Sequence, residues 1–170
     1  MAERTRDAEF TEYVAARSGW LRKVAYLLCG DWHRADDLVQ ESITKLYVHW
    51  PKASRADNLD GYARRTLVNT FLAEQRTSWW RRTIRTDVEP DTAAASIDLD
   101  VSLDLRKALA ALPPRQRATV VLRYYCDLSI DQAAEALGCS SGNVKSQSSR
   151  ALAALRNSPL THPATAGRMS

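Results

Sequence analysis

The chain has 170 residues, a net charge of +4 at pH 7, and 45% hydrophobic and 26% charged residues. A globular chain of this length forms one compact domain or two small ones. No stretch reaches the roughly 18 consecutive apolar residues that a transmembrane helix requires, and the N-terminal segment MAERTRDAEF lacks the apolar run of a secretory signal. These observations exclude a membrane protein and a wholly disordered chain, and we expect a cytoplasmic globular protein without membrane insertion.

The spacing of cysteine and histidine residues predicts no metal site. Cys29, Cys126 and Cys139 are far apart, with no C-x-x-C pair, and the three histidines are equally scattered. Buried or half-buried thiols without a chemical role are the simplest interpretation. We therefore expect no metal and no other cofactor.

Helices with bulky apolar faces are predicted in the first half of the chain. Apolar residues recur at three- and four-residue steps between Phe10 and Leu28, and Gly30 ends that helix. A second helix, RADDLVQESITKLYVHW, is predicted to end at Pro51. Opposite its apolar stripe lies a polar face made of Asp37, Gln40, Glu41 and Thr44.

The polar face of this second helix is acidic, whereas the protein as a whole is basic. Because DNA phosphates are negatively charged, an acidic face is a poor DNA-binding surface. The face is therefore either exposed to solvent or docked on a basic partner protein.

The third predicted helix, GYARRTLVNTFLAEQRTSWWRR, combines apolar anchors with five arginines, and Trp79 and Trp80 lie inside the basic run. Arginines interleaved with aromatic residues suit nucleic acid with exposed bases, because cations hold the backbone while flat rings stack on bases. A tryptophan pair is more often part of a core, however. Asn69 is either a base-edge contact or a surface amide.

An acidic segment separates two basic ones. Residues 87–104 contain six acidic and no basic side chains, whereas residues 61–86 contain six basic and one acidic. With Pro90 and few large apolar residues, the acidic segment cannot bury enough surface to fold by itself. We interpret it as an interdomain linker, which either provides solubility and reach or repels nucleic-acid phosphate.

The C-terminal part of the chain is predicted to begin with two short helices. The first, LDLRKALAAL, carries an apolar stripe from Leu105 to Leu112 and stops at Pro113. The second starts with Pro114, because proline suits the first helical position. Its inward side is predicted to consist of Ala118, Val121, Leu122 and Tyr125.

The last two helices form a predicted helix-turn-helix. Ser129 begins the third helix as an N-cap with Gln132 as its reciprocal partner, and Gly138 ends it. Only a few residues separate Gly138 from the last helix, so the two helices must cross steeply. The outer face of the last helix carries Gly142, Asn143, Ser146, Ser149 and Arg150, with Lys145 at its flank.

This outer face suits the major groove of DNA, because short donors and acceptors reach base edges and cations meet phosphates. Serine and lysine are also common on the solvated face of an ordinary helical bundle. The pattern favours DNA reading and leaves the bundle open.

Four segments of the chain carry motifs in a distinctive order, namely ADDLVQESITKLYVHW, YARRTLVNTFLAEQRT, LPPRQRATVVLRYY and SIDQAAEALGCSSGNVKSQSSRAL. In order and separation they resemble the extracytoplasmic-function (ECF) sigma factors, the smallest initiation factors of the sigma-70 type. The residues of the second and fourth motifs resemble those of the actinobacterial SigE-like subfamily in particular. Gln147 and Ser148 depart from many members of the family, which have arginine and leucine there.

The resemblance spans roughly residues 7–157 and implies an all-α protein of two small domains. Sigma domain 2 would occupy residues 7–82, and a flexible acidic linker residues 83–102. Domain 4, which contains the helix-turn-helix, would occupy residues 103–157, and a disordered tail residues 158–170.

The resemblance also implies what three surfaces bind. The polar face of the second helix would bind the clamp coiled coil of the largest RNA polymerase subunit, and the polymerase partner surface would include the flap of the second-largest subunit. The loop Ser54 to Asp60 and the helix carrying Tyr62, Arg65 and Asn69 match the part of the family that captures a flipped −10 base. Arg76, Trp79 and Trp80 join this predicted −10 surface because of the basic and aromatic pattern. The resemblance places the helix that starts near Ser141 in the major groove of the −35 element. The predicted −35 contacts on that helix are Ser141, Gly142, Asn143, Lys145, Ser146, Ser149 and Arg150.

By this resemblance the protein is a transcription initiation factor that gives core polymerase its promoter specificity and nucleates strand opening. It would have no catalytic residues, would join the nucleoid within the holoenzyme, and would have an anti-sigma factor as a further partner. The alternative is a one-component regulator with ligand-binding N-terminal helices, which would bind duplex DNA tightly without polymerase. A third class, a small nucleic-acid hydrolase, would need carboxylates clustered near the basic surface. The acidic residues lie mostly in the linker or on the second helix, so the sequence does not favour this class.

Overall fold

The computed structural model describes residues 2–82 and 103–158, with side chains described up to Thr77 in the first range. All regular secondary structure within these ranges is helical, which confirms the predicted all-α class. The chain divides into two compact units, with the boundary between Ala94 and Ala95. The predicted linker, and the predicted tail beyond Ser158, lie outside the described residues.

The described part of the first unit consists of α1 (Ala2–Cys29), α2 (Trp32–Val48), α3 (Trp50–Ala53) and α4 (Leu59–Arg82). Helix α2 packs against both α1 and α4. The core that these helices share contains side chains with almost no exposed surface, namely Leu21, Val24, Leu28, Leu38, Leu46, Leu67, Val68 and Phe71. Because each such side chain contributes roughly 1.5–3 kcal/mol on burial, this core fixes which faces of α2 and α4 point outward.

The ends of α1 and α2 follow from their flanking residues. Gly30 ends α1, as predicted, with a φ of +73°, in the left-handed region that glycine enters without strain. Asp31 then caps α2 by accepting a hydrogen bond from the His33 N–H over 2.8 Å. The prediction that Pro51 ends α2 is wrong. Helix α2 already ends at Val48, and Pro51 lies in the first turn of α3, where a missing N–H is tolerated.

The described part of the second unit consists of α5 (Leu103–Ala111), α6 (Pro114–Val120), a π-helical turn (Val121–Tyr125), α7 (Ile130–Leu137) and α8 (Ser141–Arg156). Helix α8 packs against α6 and α7, which gives the predicted helix-turn-helix. The predicted capping box is confirmed, because the Ser129 Oγ accepts the Gln132 N–H at 3.1 Å and the Gln132 Oε1 accepts the Ser129 N–H at 2.9 Å. Gly138 ends α7 with a φ of +65°.

Two residues predicted to point inward do not. Tyr125 is 42% exposed. The Cys126 N–H bonds to the Val121 carbonyl five residues back, at 3.0 Å, and this wider turn shifts the side chains that follow away from the α-helical register. Leu105 is 37% exposed, because the buried residues of α5 lie toward the other end of that helix.

Candidate functional site

The outer face of α8 exposes most of the residues predicted to contact DNA. Val144, Ser148 and Ala151, on the inner face, are at most 8% exposed and hold the helix against its unit. Neither Lys145 nor Arg150 forms an ion pair with any described residue, so both cations are available to an anionic ligand. The exposed positions are Gly142, Asn143, Lys145, Ser146, Ser149 and Arg150, and Ser141 is half-buried.

Two adjacent serines at the start of α8 have different hydrogen bonds. Ser140 is the N-cap, and its Oγ accepts the Asn143 N–H at 3.1 Å. Ser141 instead donates its hydroxyl hydrogen to the Oδ1 of Asp131, in the first turn of α7, at 2.7 Å. Sequence reasoning missed Asp131, because the two residues lie ten positions apart on different helices and no periodicity connects them.

The inner face of α8 contains a polar group without a partner. The side-chain hydroxyl of Ser148 is buried and has no hydrogen-bond partner among the described residues. A buried hydroxyl in this state destabilises the fold. The sequence contained a signal for this, since Ser148 stands where many members of the resembling family have leucine.

The polar face of α2 is exposed at all four predicted positions, Asp37, Gln40, Glu41 and Thr44. Glu41 forms an ion pair with Lys45, with 3.5 Å between the Oε1 and Nζ atoms. The Thr44 hydroxyl donates to the Gln40 carbonyl oxygen at 2.9 Å, inside the helix. Asp37 and Gln40 therefore keep side-chain oxygens that a cationic or hydrogen-bonding partner can reach.

A cavity of about 420 Å³ between α2 and α4 extends this acidic face. Its lining includes Arg34, Asp37 and Glu41 of α2 and Thr70 and Glu74 of α4. Burial, reinforced by the neighbouring Glu41 carboxylate, raises the pKa of Glu74 to about 7. The interaction with Glu74 lowers the pKa of Glu41, so as the pH rises Glu74 is the carboxyl group that loses its proton last.

Sequence reasoning missed Glu74. It treated α4 as apolar anchors with arginines, although Glu74 is the one acidic residue between positions 61 and 86. No periodicity in one sequence could place it beside Glu41, because the two residues meet only through the packing of α2 and α4.

One stripe of α4 carries the −10 positions whose side chains are described. Tyr62, Arg65, Asn69 and Arg76 follow one another at intervals of three, four and seven residues, which places them on one side of a helix. Arg65, Asn69 and Arg76 are exposed and Tyr62 is half-buried. The side chains of Trp79 and Trp80 lie outside the described residues.

The start of α4 is held by α1. The Asn58 Oδ1 accepts the Gly61 N–H at 2.9 Å, which satisfies a donor of the first turn. Asp60 accepts a hydrogen bond from the Tyr13 hydroxyl at 2.8 Å and pairs with the Arg17 guanidinium at 2.8 Å. Burial, and secondarily the hydrogen bond with Asp60, raise the pKa of Tyr13, so this phenol keeps its proton and remains a donor.

Comparison with known proteins accounts for both units. Residues 13–81 match the family model described as sigma-70 region 2, and residues 102–155 match sigma-70, region 4. The RNA polymerase sigma-E factor of Streptomyces avermitilis is 37% identical over 157 residues, which cover 87% of this chain and 83% of the relative. The chain belongs to the sigma-70 family.

Within that family the sigma factor is of the ECF type, as the motifs predicted. The ECF RNA polymerase sigma factor EcfG of Rhodopseudomonas palustris is 30% identical over 140 residues, covering 77% of this chain and 74% of the relative. Among solved structures, the sigma factor RpoE of Bartonella quintana, in complex with the anti-sigma factor NepR, is similar with a TM-score of 0.72. That similarity has 28% identity and covers 87% of this chain and 94% of RpoE.

The sigma factor is therefore a transcription initiation factor that works with RNA polymerase. In the ranges that the structure describes, no three His, Cys, Asp or Glu side chains are grouped so that they could hold a metal ion. Across the same ranges, every helix is too short or too polar to cross a membrane. The DNA and polymerase contacts of individual residues stay predictions.

Proposed function

We propose that this ECF sigma factor binds core RNA polymerase through α2 and reads promoter DNA through α4 and α8. The observation that carries the proposal is the charge separation of the first unit. Exposed carboxylates line α2, whereas α4 presents arginines on one stripe. One unit thus offers two surfaces that suit opposite partners, a cationic protein surface and DNA phosphates.

In the second unit, α8 enters the major groove of the −35 element. A helix-turn-helix brings the N-terminal residues of its second helix to base edges. Ser141, Asn143 and Ser146 supply short hydrogen-bonding groups there, while Lys145 and Arg150 meet phosphates. The exposure of this face, and the lack of described ion-pair partners for its two cations, support the assignment.

In the first unit, the α4 stripe captures the −10 element as its strands separate. Extruding a base from the duplex costs a few kcal/mol, which binding of the base and its backbone recovers. Tyr62 provides a ring for stacking, Asn69 an amide for a base edge, and Arg65 and Arg76 cations for phosphates. Binding energy therefore drives strand opening, and no ATP is needed.

The acidic face of α2 docks on the clamp coiled coil of the largest polymerase subunit, and the second unit meets the flap of the second-largest subunit. The sigma factor acts at the nucleoid, in the cytoplasm, and contributes no catalytic residue, because polymerase supplies the metal and the chemistry. An anti-sigma factor is a further proposed partner. The complex of RpoE with NepR supports it, since that related sigma factor is bound by an anti-sigma factor.

Run-off transcription with Streptomyces core RNA polymerase and a promoter library tests the proposal. We expect defined start sites only when the sigma factor is added, with enriched sequences at the −35 and −10 positions. Failure to direct polymerase to any start site would overturn it.

The one-component regulator is not favoured, because the region 2 match accounts for the N-terminal helices. A gel-shift assay on the selected promoters, without polymerase, separates the two functions. A sigma factor binds them weakly alone, whereas a regulator binds its operator duplex tightly.

A further inference from the structure

The hydrogen bond between Asp131 and Ser141 determines which way the Ser141 hydroxyl points. Ser141 is the first residue of α8, and its Oγ donates to the Asp131 Oδ1 at 2.7 Å. The capping role at this end belongs to Ser140, whose Oγ already accepts the Asn143 N–H. The Ser141 side chain is therefore not needed to begin the helix.

The chemistry of this pair leaves Ser141 with acceptor capacity only. A hydroxyl has one hydrogen to donate and two lone pairs to accept with, whereas a carboxylate only accepts. While the Ser141 hydrogen is given to Asp131, the lone pairs of Oγ can still accept a hydrogen bond, but the group has nothing to donate. An alanine at position 131 would end this restriction, because without a side-chain acceptor on α7 the serine hydrogen is free to be donated elsewhere.

The bases of DNA differ in this property. In the major groove adenine and cytosine present an amino donor, while guanine and thymine present carbonyl acceptors. Each base pair presents one amino group in the major groove, so an acceptor-only reader selects the strand on which that group lies.

We propose that Asp131 is a positioning residue that makes Ser141 an acceptor-only reader, so that α8 selects adenine or cytosine over guanine or thymine at one position of the −35 element. The proposal rests on the proposed function, in which α8 enters the major groove of that element. Asp131 itself acts through Ser141, and the prediction is a preference between classes of base at one position.

The test uses holoenzyme reconstituted with Streptomyces core RNA polymerase and a promoter library with a randomised −35 element. Wild type should show about a fivefold preference for amino over keto bases at one position, the value of one hydrogen bond. Ser141→Ala should abolish that preference, and Asp131→Ala should reduce it to less than twofold. The control Glu135→Gln removes a negative charge from the exposed side of the same helix without touching Ser141, and should keep the full preference.

The outcomes separate this inference from the function on which it rests. If holoenzyme finds no start site, the proposed function fails. If it selects a −35 sequence without an amino preference, or if Ser141→Ala keeps that preference, the inference is overturned. The same holds if folded Asp131→Ala retains it, or if Glu135→Gln loses it as well. Thermal unfolding of each variant establishes folding, and if Asp131→Ala does not fold, Asp131→Leu, which also lacks a hydrogen-bond acceptor, is measured in its place.

Discussion

Replacing Ser148 with alanine is expected to stabilise the second unit. The Ser148 side chain is 8% exposed, and its hydroxyl has no hydrogen-bond partner among the described residues. A buried hydroxyl without a partner costs roughly 1–3 kcal/mol, and alanine is better than serine inside a helix by about 0.5 kcal/mol. Alanine keeps the β-carbon and leaves almost no cavity. We therefore expect the free energy of unfolding to rise by about 1–2 kcal/mol.

The matched control is Ser149→Ala, one position further along α8, where the side chain is exposed and only the helix preference changes. All five tryptophans precede residue 81, so tryptophan fluorescence follows unfolding of the first unit, while far-ultraviolet circular dichroism follows both units. In urea titrations, Ser148→Ala should shift only the part of the dichroism transition that fluorescence does not follow. Equal stabilisation by the two variants would refute the reasoning, as would a loss of stability in Ser148→Ala.

Three further predictions concern the charged surfaces. Lys145→Ala and Arg150→Ala should each weaken binding of holoenzyme to −35 duplex by roughly 1–3 kcal/mol, measured by fluorescence anisotropy at fixed salt; unchanged binding would contradict their contacts with DNA. Asp37→Lys combined with Glu41→Lys should abolish co-purification with core polymerase while leaving helix content intact, and wild-type affinity would contradict the docking face. The pKa of Glu74 is about 7 in the folded protein, whereas that of an unfolded glutamate is 4.5. The free energy of unfolding therefore falls as the pH rises from about 4.5 to about 7. Glu74→Gln should remove this fall and be more stable than wild type at pH 8 by on the order of 1 kcal/mol, after allowance for solvent screening. If wild type and Glu74→Gln depend on pH identically between pH 5 and pH 8, the raised pKa of Glu74 is contradicted.

The sequence was sufficient where a structural feature depends on neighbouring residues. Gly30 and Gly138 end helices because a left-handed residue is a local requirement, and Ser129 with Gln132 forms a capping box within four positions. The outward face of α8 followed from helical periodicity, because that helix is regular throughout. Local signals thus predicted the helix-turn-helix and its exposed surface.

Periodicity failed where the helix itself changes its winding. The inward position of Tyr125 was extrapolated at 100° per residue, but the hydrogen bond from Cys126 to Val121 spans five residues. A π-helical turn inserts the equivalent of one extra residue, and no local sequence signal for it was recognised. The prediction that Pro51 ends α2 failed because proline suits the first turn of a new helix as well as the end of an old one.

Side-chain pairs between helices could not be predicted from one sequence. Asp131 with Ser141, and Glu41 with Glu74, come together only when two helices pack in a particular register. The sequence shows the residue types of these pairs, but not the distances between their side chains. The first pair sets the direction of the Ser141 hydroxyl hydrogen, and the second raises the pKa of Glu74. Both refine the chemistry of surfaces that the sequence located only coarsely.

The anchoring of α4 on α1 has a consequence for genetics. Asp60 is bonded to Tyr13 and to Arg17, so the orientation of the first turn of α4 depends on side chains that lie far from the DNA stripe in the sequence. Selections for altered −10 recognition would therefore yield two kinds of mutant. One kind changes a side chain on the stripe, and the other changes Tyr13 or Arg17 and tilts the stripe without altering any residue on it.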